Sequence, residues 1–423
     1  MFFKMFPGLK QLLPYQISNL SGDITAGVIV TFLLLPQSMA YAMIAGVPIS
    51  MGLIAGTFPL IIYALFGSSR YLSVGPVSIV SLLAFTGVSQ IALVNSERFL
   101  EVMILLSLMV GIVQIIMALL HFGSLIKYVS SAIIGGFTSA LAIIIILNQM
   151  NLFMGVTLPP YDNFLSFSLV IIRHIPQMNL LTFVFGIFAL LFLLILKNKF
   201  LVSPGPFIII IISILVADYF NLENRGVEVV GEIPNHFSNV SLATPSYELF
   251  VHLLPVAFLV GFISFVESFS VAKTLADKEK EQLDPNQELV SLGLANMGNS
   301  FVSTIPVAGA ISRTAVNYES GAKSKLSLLI TALLMIIAIF YLTPLFYYLP
   351  KTTLAAIIIY AVINLIQIKQ LQQYLKNQPI EAIGFLVTLL STLIWDVFIG
   401  LAIGVLFSVG KRIFIPLEDE RNE

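Results

Sequence analysis

The amino-acid sequence predicts an all-α membrane protein with fourteen transmembrane segments in a 7+7 inverted repeat, in which segments 3 and 10 are half-helices. Three observations predict this class. First, 58% of the 423 residues are hydrophobic and 10% are charged, whereas a soluble domain carries about 25% charged residues. Second, apolar runs of about 20 residues, long enough to cross a hydrocarbon layer about 30 Å thick, recur along the chain. Third, two unlike polar motifs recur at one spacing in both halves of the chain.

The composition also excludes several classes of function. There is no cysteine, which excludes a disulfide framework and thiolate metal sites. The four histidines are scattered rather than clustered as metal ligands, and there is no Walker loop, so neither a metal nor a nucleotide cofactor is expected. A net charge of −1 gives no indication of a nucleic-acid partner. The sequence shows no nucleophile–base constellation that would indicate an enzyme.

The fourteen segments follow from the apolar runs. They lie near residues 23–45, 49–67, 75–90, 99–121, 125–151, 179–197, 205–220, 249–273, 286–299, 305–318, 324–348, 351–366, 379–395 and 397–414. Segments 3 and 10 are short. At about 1.5 Å per residue each reaches only about 20 Å, which is too little to cross the membrane alone.

Polar stretches lie between the segments. Residues 163–177 predict an interfacial helix, and residues 221–247 predict a long outside loop. Residues 277–288 predict a charged, solvated cytoplasmic loop. Asp23 falls at the end of a segment, where we also expect solvation.

The distribution of Lys and Arg predicts the orientation. With the N-terminus inside, sixteen of these residues fall on the cytoplasmic side and four outside, while Arg313 lies within a segment. An excess of positive charge marks cytoplasmic loops. The sequence therefore predicts a multi-pass protein of the cell membrane with both termini cytoplasmic and the lipid bilayer as a partner.

Two motifs indicate an internal repeat. The runs PQSMAYA and VESFSVA each place a polar pair inside an apolar helix, and the runs GPVSIVS and IPVAGAIS each continue a Pro-Val pair with small residues. Gln37 precedes Pro76 by 39 residues, and Glu267 precedes Pro306 by 39 residues. Because each repeat would hold seven crossings, an odd number, the second copy enters from the opposite side. Inverted repeats of this kind place the substrate on discontinuous helices in corresponding positions.

The two half-helices predict an anion site. A helix that starts inside the membrane leaves free N–H groups in its first turn, and we expect Pro76 and Pro306 to occupy the first helical position of each. Two opposed N-termini aimed at one place favour an anion, because each carries roughly half a positive charge. Four hydroxyls could add hydrogen-bond donors: Ser73, Ser78, Ser303 and Thr304.

Polar residues within the segments have alternative roles. Arg313 follows Pro306 by seven residues, on a similar helix face, and either strengthens the positive field of the site or snorkels to the interface. Glu267 is a carboxyl well inside a long apolar segment, and it either carries a proton during transport or packs as a hydrogen-bonded group. Gln37 either contacts substrate or packs against another helix. Tyr41, one turn later, either walls the pocket or fills the core.

At these residues the sequence is similar to a known family. The stretch LLLPQSMAYAMIAGVPISMGLIAGTFPLIIYALFGSSRYLSVGPVSIVSLL resembles the first signature of the sulfate permease anion transporters, and SLGLANMGNSFVSTIPVAGAISRTAVNYESGAKSKL resembles the second. The likeness extends over essentially the whole chain.

The resemblance implies a core domain that slides as an elevator against a gate domain. The core would comprise residues 1–122 (segments 1–4) and 249–348 (segments 8–11). The gate would comprise residues 123–248 (segments 5–7) and 349–414 (segments 12–14). Residues 415–423 would form a cytoplasmic tail, without the STAS domain into which the family usually continues.

The resemblance also implies functional residues. The anion site would comprise Gln37, Tyr41, Val77, Ser78, Ala310, Ile311, Ser312 and Arg313. Glu267 occupies the position of a coupling acid in relatives. Sodium-coupled relatives have a Thr one turn later, where this chain has Val271; this difference favours protons over sodium.

The function implied is secondary active transport of a small inorganic anion, with sulfate as the leading substrate and proton symport as the leading coupling. Three other substrates stay open as alternatives: bicarbonate, chloride or a dicarboxylate. Two other mechanisms stay open as well, an exchange mechanism and a passive anion channel. A nucleobase permease of the same architecture would be expected to carry carboxylates on segments 8 and 10, whereas segment 10 offers Arg313. A bacterial inner membrane is the expected location, and a homodimer stays open as an assembly.

Overall fold

The computed structural model describes residues 7–94, 96–123, 130–159, 161–197, 205–233, 246–302 and 305–414. The chain divides into two compact units. The first comprises Met1–Ser124 and Asn179–Ile358, and the second comprises Leu125–Met178 and Ile359–Glu423. The predicted core and gate domains concern which segments move together, and that division stays a prediction. The predicted tail, 415–423, lies outside the described residues.

Within the described residues, each of the fourteen predicted segments contains an α-helix, and we keep the segment numbers for these helices. Segments 1–7 contain Leu20–Ile44, Ile49–Ala55 with Phe58–Phe66, Ser78–Ser89, Glu97–Leu119, Ser131–Asn148 with Met150–Met154, Leu180–Lys197, and Gly205–Tyr219. Segments 8–14 contain Tyr247–Glu279, Pro285–Ser300, Ile311–Glu319, Leu326–Tyr341, Lys351–Val362, Pro379–Ile394 and Val397–Phe414. Three further helices are Pro7–Leu12, Phe164–His174, where an interfacial helix was predicted, and Ile368–Asn377.

Not every segment has the length of a complete crossing. By length and composition, six helices of the described part can cross a membrane, or seven if Phe164–Gln177 and Leu180–Leu196 form one broken span. Shorter apolar helices of 10–17 residues occupy segments 3, 7, 11, 13 and 14. The helix of segment 10 has only nine residues, which agrees with its prediction as a half-helix.

Some of the described helices begin with a side-chain cap, whereas others, among them those of segments 1, 11 and 13, do not. Ser96 Oγ accepts a hydrogen bond from Phe99 N before segment 4, and Ser246 Oγ accepts one from Leu249 N before segment 8. Asp284 caps segment 9 in the same manner. Such caps satisfy N–H groups that have no partner inside the helix.

Segments 4 and 9 pack through a backbone contact in the first unit. A Cβ atom at Gly111 would lie 2.6 Å from the carbonyl oxygen of Gly293, and a Cβ at Gly293 would lie 2.8 Å from that of Gly111. Any larger residue at either position would separate the helices. This close approach brings the polar side chains of segment 9 toward the centre of the unit.

In the second unit, segment 5 packs against segment 13 and the turn before residue 367. Ser139 Oγ accepts a hydrogen bond from Gln367 N at 3.0 Å, and Tyr161 donates one to the carbonyl of Leu393 at 3.2 Å. The predicted site residues all lie in the first unit.

The starts of the half-helices differ from the prediction. The helices begin at Ser78 and Ile311, so Pro76 and Pro306 precede them and do not occupy the first helical position. The prolines lie outside because the chain stays extended to form two short strands, β1 at Val74–Gly75 and β2 at 308–309. Pairing between strands satisfies backbone groups that an apolar environment would leave without partners.

The predicted solvation of two carboxylates is also wrong. Segment 8 continues as helix to Glu279, and Glu288 lies in the first turn of segment 9 with no exposed surface. Asp23 is likewise fully buried. Both are buried because backbone and side-chain donors from distant loops surround their carboxylates.

Candidate functional site

Two paired strands bring the half-helix starts together. β1 and β2 are antiparallel, with Val74 opposite Gly309 and Gly75 opposite Ala308. Ala310 N also donates a hydrogen bond to Ser73 O at 3.0 Å. Opposed Cα atoms in such a pair lie about 5 Å apart, so the two starts are neighbours.

The residues before the two helices are equivalent in conformation. Val77 and Ala310 are the N-caps, both extended, with φ/ψ of −139°/149° and −96°/129°. They are separated by 233 positions, whereas Pro76 and Pro306 are separated by 230. The structural repeat is thus three residues out of register with the Pro-Val match, because the extended run before segment 10 is longer.

Neither half-helix has a capping side chain in the described structure. Val77 and Ala310 carry no polar side-chain atom, so the N–H groups of residues 78–80 and 311–313 lack the usual acceptor. Each N-terminus also carries about half a positive charge. The two starts therefore form a place where an anion can accept hydrogen bonds from backbone.

Arg313 adds a full positive charge to this place. Its side chain is fully buried, so it does not snorkel to the interface. Nη1 donates to Gln37 Oε1 at 3.0 Å and to Pro76 O at 2.9 Å, while Nε and Nη2 have no hydrogen-bond partner among the described residues. Since the helix begins at Ile311, Arg313 lies in its first turn and not two turns along, as predicted from Pro306.

Glycine at position 75 leaves room for the guanidinium. A Cβ atom there would lie 3.3 Å from Arg313 Nη2, which is closer than most Cβ contacts. A larger residue at position 75 would press on the nitrogen that lacks a partner.

The other predicted site residues lie around Arg313. Gln37 Nε2 makes a long hydrogen bond of 3.5 Å to Ser312 Oγ. Gln37, Tyr41 and Ser78 are each 6% exposed, whereas Ile311 and Ser312 are exposed. The structure therefore brings segment 1, the start of segment 3 and the start of segment 10 together, with Ser312 open to a solute.

Glu267 lies on segment 8 near this group. Its Oε2 atom is buried without a hydrogen-bond partner in the described part of the chain, and the positive charge of Arg313 acts on it. The residue beside it, Ser268, accepts a hydrogen bond from Gly309 N at 2.7 Å. Segment 8 thus contacts β2 directly and presents a carboxyl close to the buried cation.

The predicted hydroxyls have different outcomes. Ser73 Oγ is buried without a partner among the described residues, and Ser78 is the first residue of the segment 3 helix. Ser303 and Thr304 lie outside the described residues. Among those described, no group of three His, Cys, Asp or Glu residues could hold a metal ion.

Two asparagines that sequence reasoning missed hold the stretch before segment 10. Asn296 accepts from Val307 N at 2.8 Å and donates to Val307 O at 3.2 Å. Asn299 donates to Ile305 O at 2.7 Å. Amides in the apolar run SLGLANMGNS were the available signal, because buried amides need partners.

Gln114 of segment 4 was missed as well. It accepts a hydrogen bond from Asn296 Nδ2 at 3.0 Å and donates to Ser264 Oγ at 2.7 Å and to Gly261 O at 3.1 Å. It therefore connects segments 4, 8 and 9.

Side chains of segment 10 hold the stretch before segment 3. Thr314 Oγ1 accepts from Ser73 N at 3.0 Å, and Asn317 Nδ2 donates to Tyr71 O at 3.0 Å. With Arg313, these residues follow the i, i+1, i+4 spacing of one helix face, and this pattern was the available signal for both.

The chain is similar to proteins of known family. The profile of the Sulfate permease family matches residues 20–388. Sulfate transporter 4.1, chloroplastic, of Arabidopsis thaliana is 36% identical over 428 residues, covering 99% of this chain and 61% of that protein. The chain therefore spans about three fifths of the length of this relative.

Solved structures agree with the fold. The structure of SLC26A9 matches with a TM-score of 0.90 and 25% identity, covering 97% of this chain and 68% of that one. The transmembrane domain of a cyanobacterium bicarbonate transporter, BicA, matches with a TM-score of 0.79 and 20% identity, covering 93% and 98%. These matches confirm the predicted fourteen-segment inverted repeat. From the family profile and the relatives together, the chain belongs to the Sulfate permease family.

Proposed function

We propose that this protein is a secondary active transporter of a small inorganic anion, with sulfate as the leading substrate and the proton as the coupling ion. One observation carries the proposal. The buried guanidinium of Arg313, with Nε and Nη2 free of partners in the described structure, lies at the meeting point of two uncapped half-helices. Burial of charged donors without hydrogen-bond partners is costly, and a bound anion would offset that cost.

The anion would be bound mainly by backbone. The first-turn N–H groups of segments 3 and 10 point toward it, and the Ser312 and Ser78 hydroxyls add donors. Arg313 lies behind the two starts and supplies the field, while Gln37 holds its Nη1 in place. Such donors suit any small anion and do not select one. We take sulfate as the leading substrate because the similar Arabidopsis protein is named a sulfate transporter. Bicarbonate is an alternative because BicA is named a bicarbonate transporter.

Glu267 would couple the anion to a proton. When the site is empty, an ionised Glu267 balances the charge of Arg313. When an anion binds, that balance is no longer needed, and a carboxyl surrounded by apolar residues favours its neutral form. The anion and the proton would then cross together. Val271, one turn after Glu267, is apolar and 9% exposed, and it offers no oxygen ligand for sodium.

The proposed movement is of the elevator type. Gln37, Arg313 and Glu267 belong to one compact unit, which supports a site that is carried as a whole. The cell-membrane location, the cytoplasmic termini and the homodimer stay predictions.

Uptake into proteoliposomes tests the proposal. Purified protein in lipid vesicles with an alkaline interior should accumulate radiolabelled sulfate above its equilibrium concentration, and collapse of the pH gradient should release it. Equilibration without accumulation would identify a passive channel. A panel of bicarbonate, chloride and dicarboxylates would define the substrate, and uptake of only cations or neutral compounds would contradict the anion site.

A further inference from the structure

The loop that leads to β1 is held by the second half of the chain. Gln287 Nε2 and Ser291 Oγ donate to Phe66 O at 2.8 and 2.7 Å. The next carbonyl, that of Gly67, accepts from the buried Lys325 Nζ. These contacts join the end of segment 2 to the starts of segments 9 and 11.

Glu288 is at the centre of this arrangement. Oε1 accepts from Ser68 N at 2.8 Å, from Ser69 N at 3.1 Å and from the Ser68 hydroxyl. Oε2 accepts from the Tyr63 hydroxyl at 2.7 Å. Glu288 accepts four hydrogen bonds and has no exposed surface, so a solute does not reach it. Its role must therefore be exerted through the loop.

The loop passes directly into the anion site. Four residues after Ser69, Ser73 O accepts from Ala310 N. Pairing of β1 with β2 follows, and Pro76 O accepts from Arg313. A short extended chain transmits a displacement of one end to the other, since it contains no intervening helix to absorb it.

We propose that Glu288 is a positioning residue for the anion site: by clamping Ser68 and Ser69, it sets where β1, Val77 and the Pro76 carbonyl meet Arg313. The inference rests on the proposed function, because an anion site must exist for its position to matter. Preformed sites bind more tightly because less ordering is required on binding. Loss of the clamp should therefore weaken anion binding without removing any group that touches the anion.

The chain contains a matched control. Asp23 is also fully buried and also accepts from two consecutive N–H groups, those of Lys323 and Ser324, at 2.7 and 2.9 Å. It accepts further from a Ser and a Tyr hydroxyl, Ser324 Oγ at 2.7 Å and Tyr15 at 2.9 Å. This loop leads to segment 11 rather than to a half-helix start. Changes at the two carboxylates should thus cost similar stability and differ in their effect on the site.

The test compares Glu288→Ala, Glu288→Gln and Asp23→Ala in proteoliposomes, with the KM for radiolabelled sulfate, the Vmax and the Tm of each. Glu288→Ala should raise KM about tenfold, equivalent to about 1.4 kcal/mol. Glu288→Gln should restore KM to within about threefold of the original, since its amide oxygen still accepts from Ser68 and Ser69. Asp23→Ala should lower Tm by about as much as Glu288→Ala does, and it should leave KM within about twofold of the original.

Three results would overturn the proposal. An unchanged KM in Glu288→Ala would show that the clamp does not set the site. If KM rises in Asp23→Ala as much as in Glu288→Ala, the cause is general destabilisation. If KM rises as much in Glu288→Gln, the cause is a direct effect of charge. If Glu288→Ala does not fold, Ser68→Ala and Ser324→Ala replace the pair, since each removes one hydroxyl from its carboxylate. Ser68→Ala alone should then raise KM, and equal KM values would overturn the proposal.

Hydrogen–deuterium exchange separates this proposal from the proposed function. Amides of residues 68–75 should exchange faster in Glu288→Ala, or in Ser68→Ala where it replaces that variant, than in the unsubstituted protein and in the matched control, whichever solute is transported. If the unsubstituted protein takes up no anion, the proposed function fails, and the exchange result alone decides whether the clamp holds β1. Unchanged exchange in residues 68–75 would overturn the clamp.

Discussion

The two extended stretches that lead into the half-helices have the same backbone role but different partners. The stretch 71–76 is held by side chains of the opposite half-helix, those of Arg313, Thr314 and Asn317. The stretch 305–309 is held by segments 8 and 9. The two copies of the inverted repeat thus have similar backbones at these stretches, but different side chains hold them.

This difference assigns two tasks to segment 10. It provides one of the two uncapped starts, and it also anchors the other start through the bond from Arg313 to Pro76 O. Segment 3 makes no equivalent side-chain contact to the stretch 305–309 among the bonds of the described residues. Binding and scaffold are therefore combined in one half-helix, while segments 8 and 9 hold the stretch 305–309.

The largest expected effect comes from Arg313→Ala. It removes the buried positive charge and the anchor of Pro76 together. Hydrogen bonds to charged groups contribute about 1.5–3 kcal/mol, so we expect the Kd for sulfate to rise roughly 10- to 100-fold. Equilibrium binding to purified protein measures this change. An unaltered Kd would restrict Arg313 to the scaffold.

Glu267→Gln should change coupling rather than structure. The amide cannot release a proton, so accumulation driven by a pH gradient should be lost while sulfate exchange across the vesicle membrane continues. Ser268 and its contact with Gly309 are untouched, so Tm should change by less than about 2 °C. Continued accumulation in a pH gradient would remove Glu267 from the coupling role.

Asn296→Ala tests the scaffold of the stretch 305–309. Val307 N and O would both lose buried partners, which costs about 1–3 kcal/mol each before relaxation. We expect a clear fall in Tm, with KM for sulfate changed less than by Arg313→Ala. A greater effect on KM than that of Arg313→Ala would show that segment 9 belongs to the binding machinery.

Thr314→Val should have the smallest effect. The substitution keeps the side-chain shape and removes one acceptor, so Ser73 N alone loses a partner, at a cost of about 1 kcal/mol. Because that bond connects the two half-helices, KM should rise by a few-fold. An increase in KM without any fall in Tm would indicate that the Thr314 hydroxyl contacts the anion itself.

Much of the fold could be predicted because it depends on local pattern. The apolar runs are long enough to identify each segment, and the short runs identify segments 3 and 10 as half-helices. The candidate site was partly predictable, since Gln37, Ser312 and Arg313 do meet. The positions of Pro76 and Pro306 were not, because a preference for the first helical turn was overridden by strand pairing between residues more than 230 positions apart.

The sequence by itself determined the membrane class, the segments and the presence of an arginine within one of two short segments, because these follow from composition and from spacing along the chain. Only the tertiary structure decided where the helices begin, which backbone groups Arg313 contacts, and that Asp23, Glu288 and Arg313 are buried. The physical reason is that a polar group in an apolar interior takes its role from its hydrogen-bond partner, and here those partners lie in the other half of the chain.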